Sequence, residues 1–511
     1  MQQNKPSQDA FDEVQGSYSM DDQFNVQEGY RNSTDEIPAN QLSGDEALEK
    51  SFMQSTGQSS IWQKRGQKTS LPMTSVIVMK SMVGVGILGI PYVASNFGAI
   101  LTIFILMIIF CVGILSSNLL LKSKNLSKRS NFSTIGFYIF KHKWIIIVVN
   151  IMIILSNLGV CLSELIIFGD TTSNLINFFT DRTTEDQPFY LKRPVFLAVI
   201  SIILLPFLLV KSIEKLRFVS LFAILSISSF SCLVIYNFFR IEQSSHEFSW
   251  WIPDNFNINR ALASMPTLIL AFNWQFNLFP IFKGMAQPTD QNLIKSTILG
   301  FCQGSFLYLI VGLLGYATYG ANIQPNFLLS INEKDVGAVL FVILNLSFVF
   351  STTLTLPVIF FGGRNNFIQM IKQFTENKKV NIQAKKKLID SQQTEQYYKD
   401  LLQFRKKSQA IRFYGISIGL FILLAIGAVF IQNLGTVYNL LGAIACNAIQ
   451  LGLPTLFYVF LVSQVKKMKF RNKFNRIFYY FVCGLLGLSI ILTFLCVTCE
   501  FIQPEKESND D

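Results

Sequence analysis

The stretch Lys80 to Pro91, "KSMVGVGILGIP", limits what this chain can fold into more than any other, because it lies inside an apolar run from about Met73 to Tyr92. A bilayer core needs about 20 apolar residues per helix, so the run is long enough to span a membrane. It should not stay helical throughout. Gly84, Gly86 and Gly89 each cost a helix about 1 kcal/mol relative to alanine, and Pro91 removes a backbone donor and crowds the preceding turn. Backbone broken at membrane depth leaves amide and carbonyl groups that hydrocarbon cannot satisfy, so it survives only inside protein or along a polar cavity. Two half-helices meeting there would present a positive end to an anion and a negative end to a cation. The competing reading is a glycine-rich helix packed tightly on a neighbour, as small residues allow.

Composition sets the class. Half of the 511 residues are apolar and 15% are charged, against roughly 25% in soluble domains, which predicts an all-α polytopic membrane protein. The eight cysteines fall within apolar runs or at their ends and read as buried small hydrophobes, not as a disulfide framework. The only histidines, His142 and His246, lie in polar connections, and there is no CxxC pair at metal spacing. That leaves no material for a buried histidine-based centre, so neither an enzyme nor a cofactor is expected. Residues 1–70 are rich in Ser, Gln, Asn and Asp without periodicity, which predicts a disordered cytoplasmic tail with no signal peptide.

Eleven spans are expected within a membrane domain at 71–500. Helices 1–5 cover about 73–239 (spans 73–95, 98–121, 144–169, 194–210 and 217–239). Helices 6–10 cover about 261–463 (spans 261–282, 296–319, 336–361, 413–432 and 434–463), and helix 11 covers about 476–499. With the N-terminus cytoplasmic, the inner connections hold 29 Lys and Arg residues and the outer ones, with the tail, hold seven. That asymmetry fits the positive-inside rule, makes 363–412 a basic cytoplasmic loop and puts the acidic tail 501–511 outside. The loop 363–412 reads either as an amphipathic helix on the inner leaflet or as a solvated linker. Its basic runs suit anionic lipid headgroups, not nucleic acid. The sequons at Asn32, Asn125 and Asn131 would be cytoplasmic and unglycosylated.

A second interruption falls in the sixth span, "ILAFNWQFNLFPIF", at polar residues and Pro280. Five spans run from each break to the end of its unit, and an odd-numbered unit repeated once must insert upside down. Spans 1–5 and 6–10 therefore read as a 5+5 inverted repeat with broken helices 1 and 6, a pattern that points to a transporter binding site.

Four segments in order also resemble one family. "MKSMVGVGILGIPYVASNFG" resembles the first-span signature of the amino acid/auxin permeases, and "LILAFNWQFNLFPIF" is similar to their sixth span. "LYLIVGLLGYATYG" (Leu307 to Gly320) and "LLGAIACNAIQLGLPTLFYVFL" resemble their seventh and tenth spans. The resemblance covers about residues 70 to 500. It implies a LeuT-like fold and secondary transport of amino acids, bound at the broken first and sixth helices.

On that resemblance the backbone of Gly84, Val85, Gly86, Ile87 and Gly89 would receive the substrate carboxylate, and carbonyls near Phe272 and Asn273 the amino group. Gln275 and Asn277 would hydrogen-bond the substrate, and Trp274 would narrow the pocket; a core tryptophan and a helix–helix hydrogen bond from Gln275 are the plainer readings. Lys80 stands where sodium-coupled members carry Asn, opposite a Thr-rich segment that here includes Ser351, Thr352, Thr353 and Thr355. A Na+ ion needs about six oxygen ligands, and an ammonium competes with it, which puts sodium coupling in doubt. Glu164, in "LGVCLSELIIFGD", is a candidate partner for Lys80: both would face one cavity, with one of them titrating to give proton coupling or sodium independence. A fixed ion pair, or a Lys80 snorkelling from roughly 12 Å into the span, competes with that reading, and the threonines would then bond back to their own helix. The expected partners are an amino acid, H+ or Na+, and the bilayer of a plasma or vacuolar/lysosomal membrane. The alternatives are a sodium-coupled symporter and a transceptor with little flux; no charge ring or filter sequence suggests a channel.

Overall fold

The computed structural model describes residues 68–181, 188–209, 217–240, 248–254, 256–376, 393–465 and 473–502. The expected tail 1–70, apart from its last three residues, and the acidic tail 501–511 beyond Ile502 lie outside them.

The first span is broken as its glycines predict. Helix α1 (Leu71–Met82) stops at Val83, a 3-10 turn follows over Val85–Gly89, and α2 (Ile90–Phe97) continues at 56° to α1. Pro91 does not itself make the break. It sits in the first turn of α2, where a missing N–H costs nothing.

Long helices follow: α3 (Ala99–Ser127), a short α4 (Phe132–Phe140), α5 (Lys143–Thr180), α6 (Arg193–Leu208) and α7 (Arg217–Arg240). The stretch expected as the sixth span is interrupted as well. Helix α8 (Ile258–Ala271) ends, Gln275–Asn277 form a 3-10 turn, and α9 (Leu278–Gly284) resumes. Then come α10 (Asp290–Leu309), a π-helical turn at Ile310–Leu314 and α11 (Gly315–Tyr319). After the short α12 (Glu333–Val336) the chain forms α13 (Ala338–Glu376) and α14 (Gln393–Phe430). The tenth span comprises α15 (Leu434–Leu441), π-helical turns at Gly442–Cys446 and Ala448–Gly452, and α16 (Leu453–Val465); α17 is Lys473–Ile502.

Among the described residues seven helices are long and apolar enough to cross a membrane, and the bent α1–α2 pair makes an eighth; Arg193–Leu208 and Leu225–Arg240 are shorter apolar helices. Most of the expected loop 363–412 is helical, because α13 runs on to Glu376 and α14 begins at Gln393. All eight cysteines are free, as expected, but Cys111, Cys232 and Cys302 are exposed and not buried. On an apolar spanning helix such an exposed face meets hydrocarbon, where a small thiol costs little.

The broken helices sit in the middle of the packing. Helix α1 lies along α10, while α8 touches α2, the 3-10 turn after Gly84, α15 and α17. Helices α5 and α13 form the most extensive pair beside them. The contact between the two broken helices is close: a Cβ on Gly86 would lie 3.2 Å from Ala271 Cα.

Candidate functional site at the two helix breaks

At the first break Gly84 is exposed while Val83 and Val85 to Ile90 are buried, and a Cβ at Gly84 would meet nothing within 4 Å. Open space therefore reaches the backbone in the middle of a bent span. The first N–H groups of a helix have no partner inside it. Among the described residues the N–H groups of Gly84, Val85 and Gly86 have no acceptor, whereas Ile87 N bonds Gly84 O at 3.3 Å. Gly89 faces the packed side, where an added Cβ would lie 2.6 Å from Thr267 Cγ2 and 3.2 Å from the Tyr438 ring.

The second break is built differently. Phe272 and Trp274 are fully buried, and the Trp274 ring meets Phe301 edge-on at 6.2 Å. The carbonyls of Phe272 and Asn273 accept no hydrogen bond among the described residues. Asn273 Nδ2 donates to Ser156 Oγ on α5 at 2.9 Å, leaving its buried Oδ1 without a partner. Gln275 turns back on its own chain, Oε1 accepting from Trp274 N at 3.1 Å, while buried Nε2 and Trp274 Nε1 have no acceptor. Asn277 joins the two breaks by donating to Ser81 Oγ on α1 at 2.6 Å.

Two tyrosines that the sequence reading passed over cap three backbone carbonyls at the breaks. Tyr308 on α10 places its hydroxyl 2.6 Å from Ala271 O and 3.1 Å from Met82 O, the last residues of α8 and α1. Tyr438 on α15 donates to Val85 O at 2.8 Å. The available signal was chemical: a phenol inside a long apolar run needs a partner for its hydroxyl. Tyr308 even lies within the seventh-span motif.

Of the ion-coupling candidates, Glu164 reaches the Thr-rich segment of α13, while Lys80 makes no ion pair with it. Lys80 is half-buried in the last turn of α1, next to the helix's negative end, and forms no ion pair among the described residues. The expected Lys80–Glu164 pairing is thus not formed as an ion pair. Glu164, 2% exposed on α5, instead accepts from Thr355 Oγ1 at 2.5 Å, and its Oε2 has no partner. Thr352 and Thr353 donate to carbonyls of their own helix, at Phe348 and Val349.

Comparison with known proteins places this geometry. The profile of the family described as transmembrane amino acid transporter protein matches residues 67–497. The chain belongs to that family. Its relatives include the vacuolar amino acid transporters 5 and 7 of Saccharomyces cerevisiae, each 24% identical, over 48% and 54% of this chain. This family member spans only about half the length of those relatives, 56% and 55% respectively. The sodium-coupled neutral amino acid symporter 2 of Danio rerio is 22% identical over 75% of this chain and 74% of its own. An inward-facing structure of Mhp1 superposes with a TM-score of 0.51 at 11% identity, covering 85% of this chain and 91% of that one. The family is described as one of transmembrane amino acid transporters, and the likeness to Mhp1 shows the LeuT-like fold.

Proposed function

We propose that the protein is a secondary active transporter that moves neutral amino acids across a membrane by alternating access, without a requirement for Na+. The observation that carries this reading is the exposed Gly84 backbone, whose neighbouring N–H groups lack acceptors. Those donors suit a carboxylate, and the carbonyls of Phe272 and Asn273 suit an ammonium, so an amino acid would bridge the two breaks. Asn273, Gln275 and Asn277 would contact the side chain of the substrate, with Trp274 as the wall of the pocket.

The reading takes the chain as eleven spans in a 5+5 inverted repeat, α1–α2 and α8–α9 being equivalent broken helices. Coupling is assigned to Glu164, whose buried carboxyl keeps one oxygen without a partner and would exchange a proton during the cycle. Lys80, half-buried at the negative end of α1, argues against a Na+ ion between α1 and α13. Names of the yeast relatives support a vacuolar or lysosomal membrane, and the excess of Lys and Arg in the inner connections supports a cytoplasmic N-terminus. The name of the Danio rerio relative favours a second reading, Na+ symport.

Uptake of labelled neutral amino acids into proteoliposomes separates these. An imposed pH gradient without Na+ should drive uptake in wild type and Lys80→Asn, and Glu164→Gln should lose the response to the gradient. Uptake that requires a Na+ gradient would overturn the proton reading, and binding without uptake would favour a sensor.

A further inference from the structure

Helices α1 and α8 end close together, and each end leaves carbonyls without intrahelical donors at the negative pole of its dipole. Bare oxygens converging from two such ends form a natural seat for a cation, since hard cations take backbone carbonyls as ligands. The seat here holds a side chain. Tyr308, fully buried, sets its hydroxyl 2.6 Å from Ala271 O and 3.1 Å from Met82 O, and its ring rests edge-on against Phe272 at 5.3 Å. One hydroxyl has one hydrogen, so the two carbonyls share it and the shorter contact, to Ala271, takes the larger part.

We propose that the Tyr308 hydroxyl is a permanent stand-in for a cation at the junction of the two broken helices. It holds α1 and α8 together through the transport cycle without an ion from solution. Tyr438 does related work one turn further on, where it donates to Val85 O. Tyr308 acts as a positioning residue: it fixes the carbonyl ends of both breaks and thereby the spacing of the substrate groups beyond them. This inference rests on the transport reading only for its uptake readout.

The test uses purified full-length protein and Tyr308→Phe, which deletes the hydroxyl and keeps the ring. Thermal midpoints are measured in LiCl, NaCl, KCl and N-methylglucamine chloride at equal ionic strength. Wild type should be indifferent to the cation, whereas the variant should show a saturable rise of about 2 °C or more with at least one alkali cation. In proteoliposomes the variant's uptake should be about tenfold higher with that cation than with N-methylglucamine. If Tyr308→Phe folds poorly, the same alkali cation added during extraction should restore the yield. A variant with no cation-dependent midpoint or yield would overturn the proposal, whether or not it transports. So would a wild-type cation response that Tyr308→Phe abolishes. Absence of uptake in both proteins would sink the transport reading and leave the thermal result to decide this one.

Discussion

The two breaks differ in what replaces the helix. At the first, glycines leave backbone open: Gly84 faces empty space, and three consecutive N–H groups have no acceptor. At the second, large side chains fill the gap: Phe272 and Trp274 are fully buried, and the polar atoms around them point into protein. On the proposed reading, one break would offer backbone donors to a ligand, and the other a wall and acceptors. A substrate site of this kind needs both, because a carboxylate is best held by an array of amides and selectivity needs shaped side chains.

The comparison can be broken most forcefully at the wall. Trp274→Ala removes a fully buried side chain and should cost about 3–5 kcal/mol of stability, read as a fall in thermal midpoint. Trp274→Phe should cost far less, because the indole N–H has no acceptor to lose. Next in size is Gly89→Ala, whose Cβ would overlap Thr267 and the Tyr438 ring. Overpacking of about 1–3 kcal/mol is expected, again in the midpoint.

Gly84→Leu should behave differently. A Cβ there meets nothing within 4 Å, so the midpoint should fall less than for Gly89→Ala, yet the side chain would occupy the space before the free amides and weaken apparent substrate affinity about tenfold, or about 1.4 kcal/mol. If Gly84→Leu lowered the midpoint as Gly89→Ala does, the two glycines would share a packing role and the distinction between the breaks would fail. The smallest effect belongs to Ser81→Ala, which removes the acceptor for Asn277 at a partly buried link. It should cost about 1 kcal/mol or less in the same melt.

The first break was legible because its cause is local. Three glycines in six residues disfavour helix, and the expected span 73–95 became Leu71–Phe97 with a 56° bend. The long apolar runs were legible for the same reason, although their helices run further, as α13 does to Glu376. What failed to show was tertiary. Glu164 pairs with Thr355, 191 positions along the chain, and no spacing rule could prefer that threonine to Lys80. Tyr308 and Tyr438 looked like ordinary apolar-run aromatics until the helix ends they cap were in place. The π-helical turns in the seventh and tenth spans depend on packing as well, since a single glycine in each (Gly312, Gly442 and Gly452) does not by itself mark a break.

The most direct test of the account is accumulation of labelled neutral amino acids in proteoliposomes under an imposed pH gradient with no Na+, with wild type beside Gly84→Leu. The account predicts protonophore-sensitive accumulation by wild type, cut about tenfold at limiting substrate in a variant that melts as a folded protein. Equal accumulation by both proteins would contradict it, because the open backbone at Gly84 would then not be where the substrate binds.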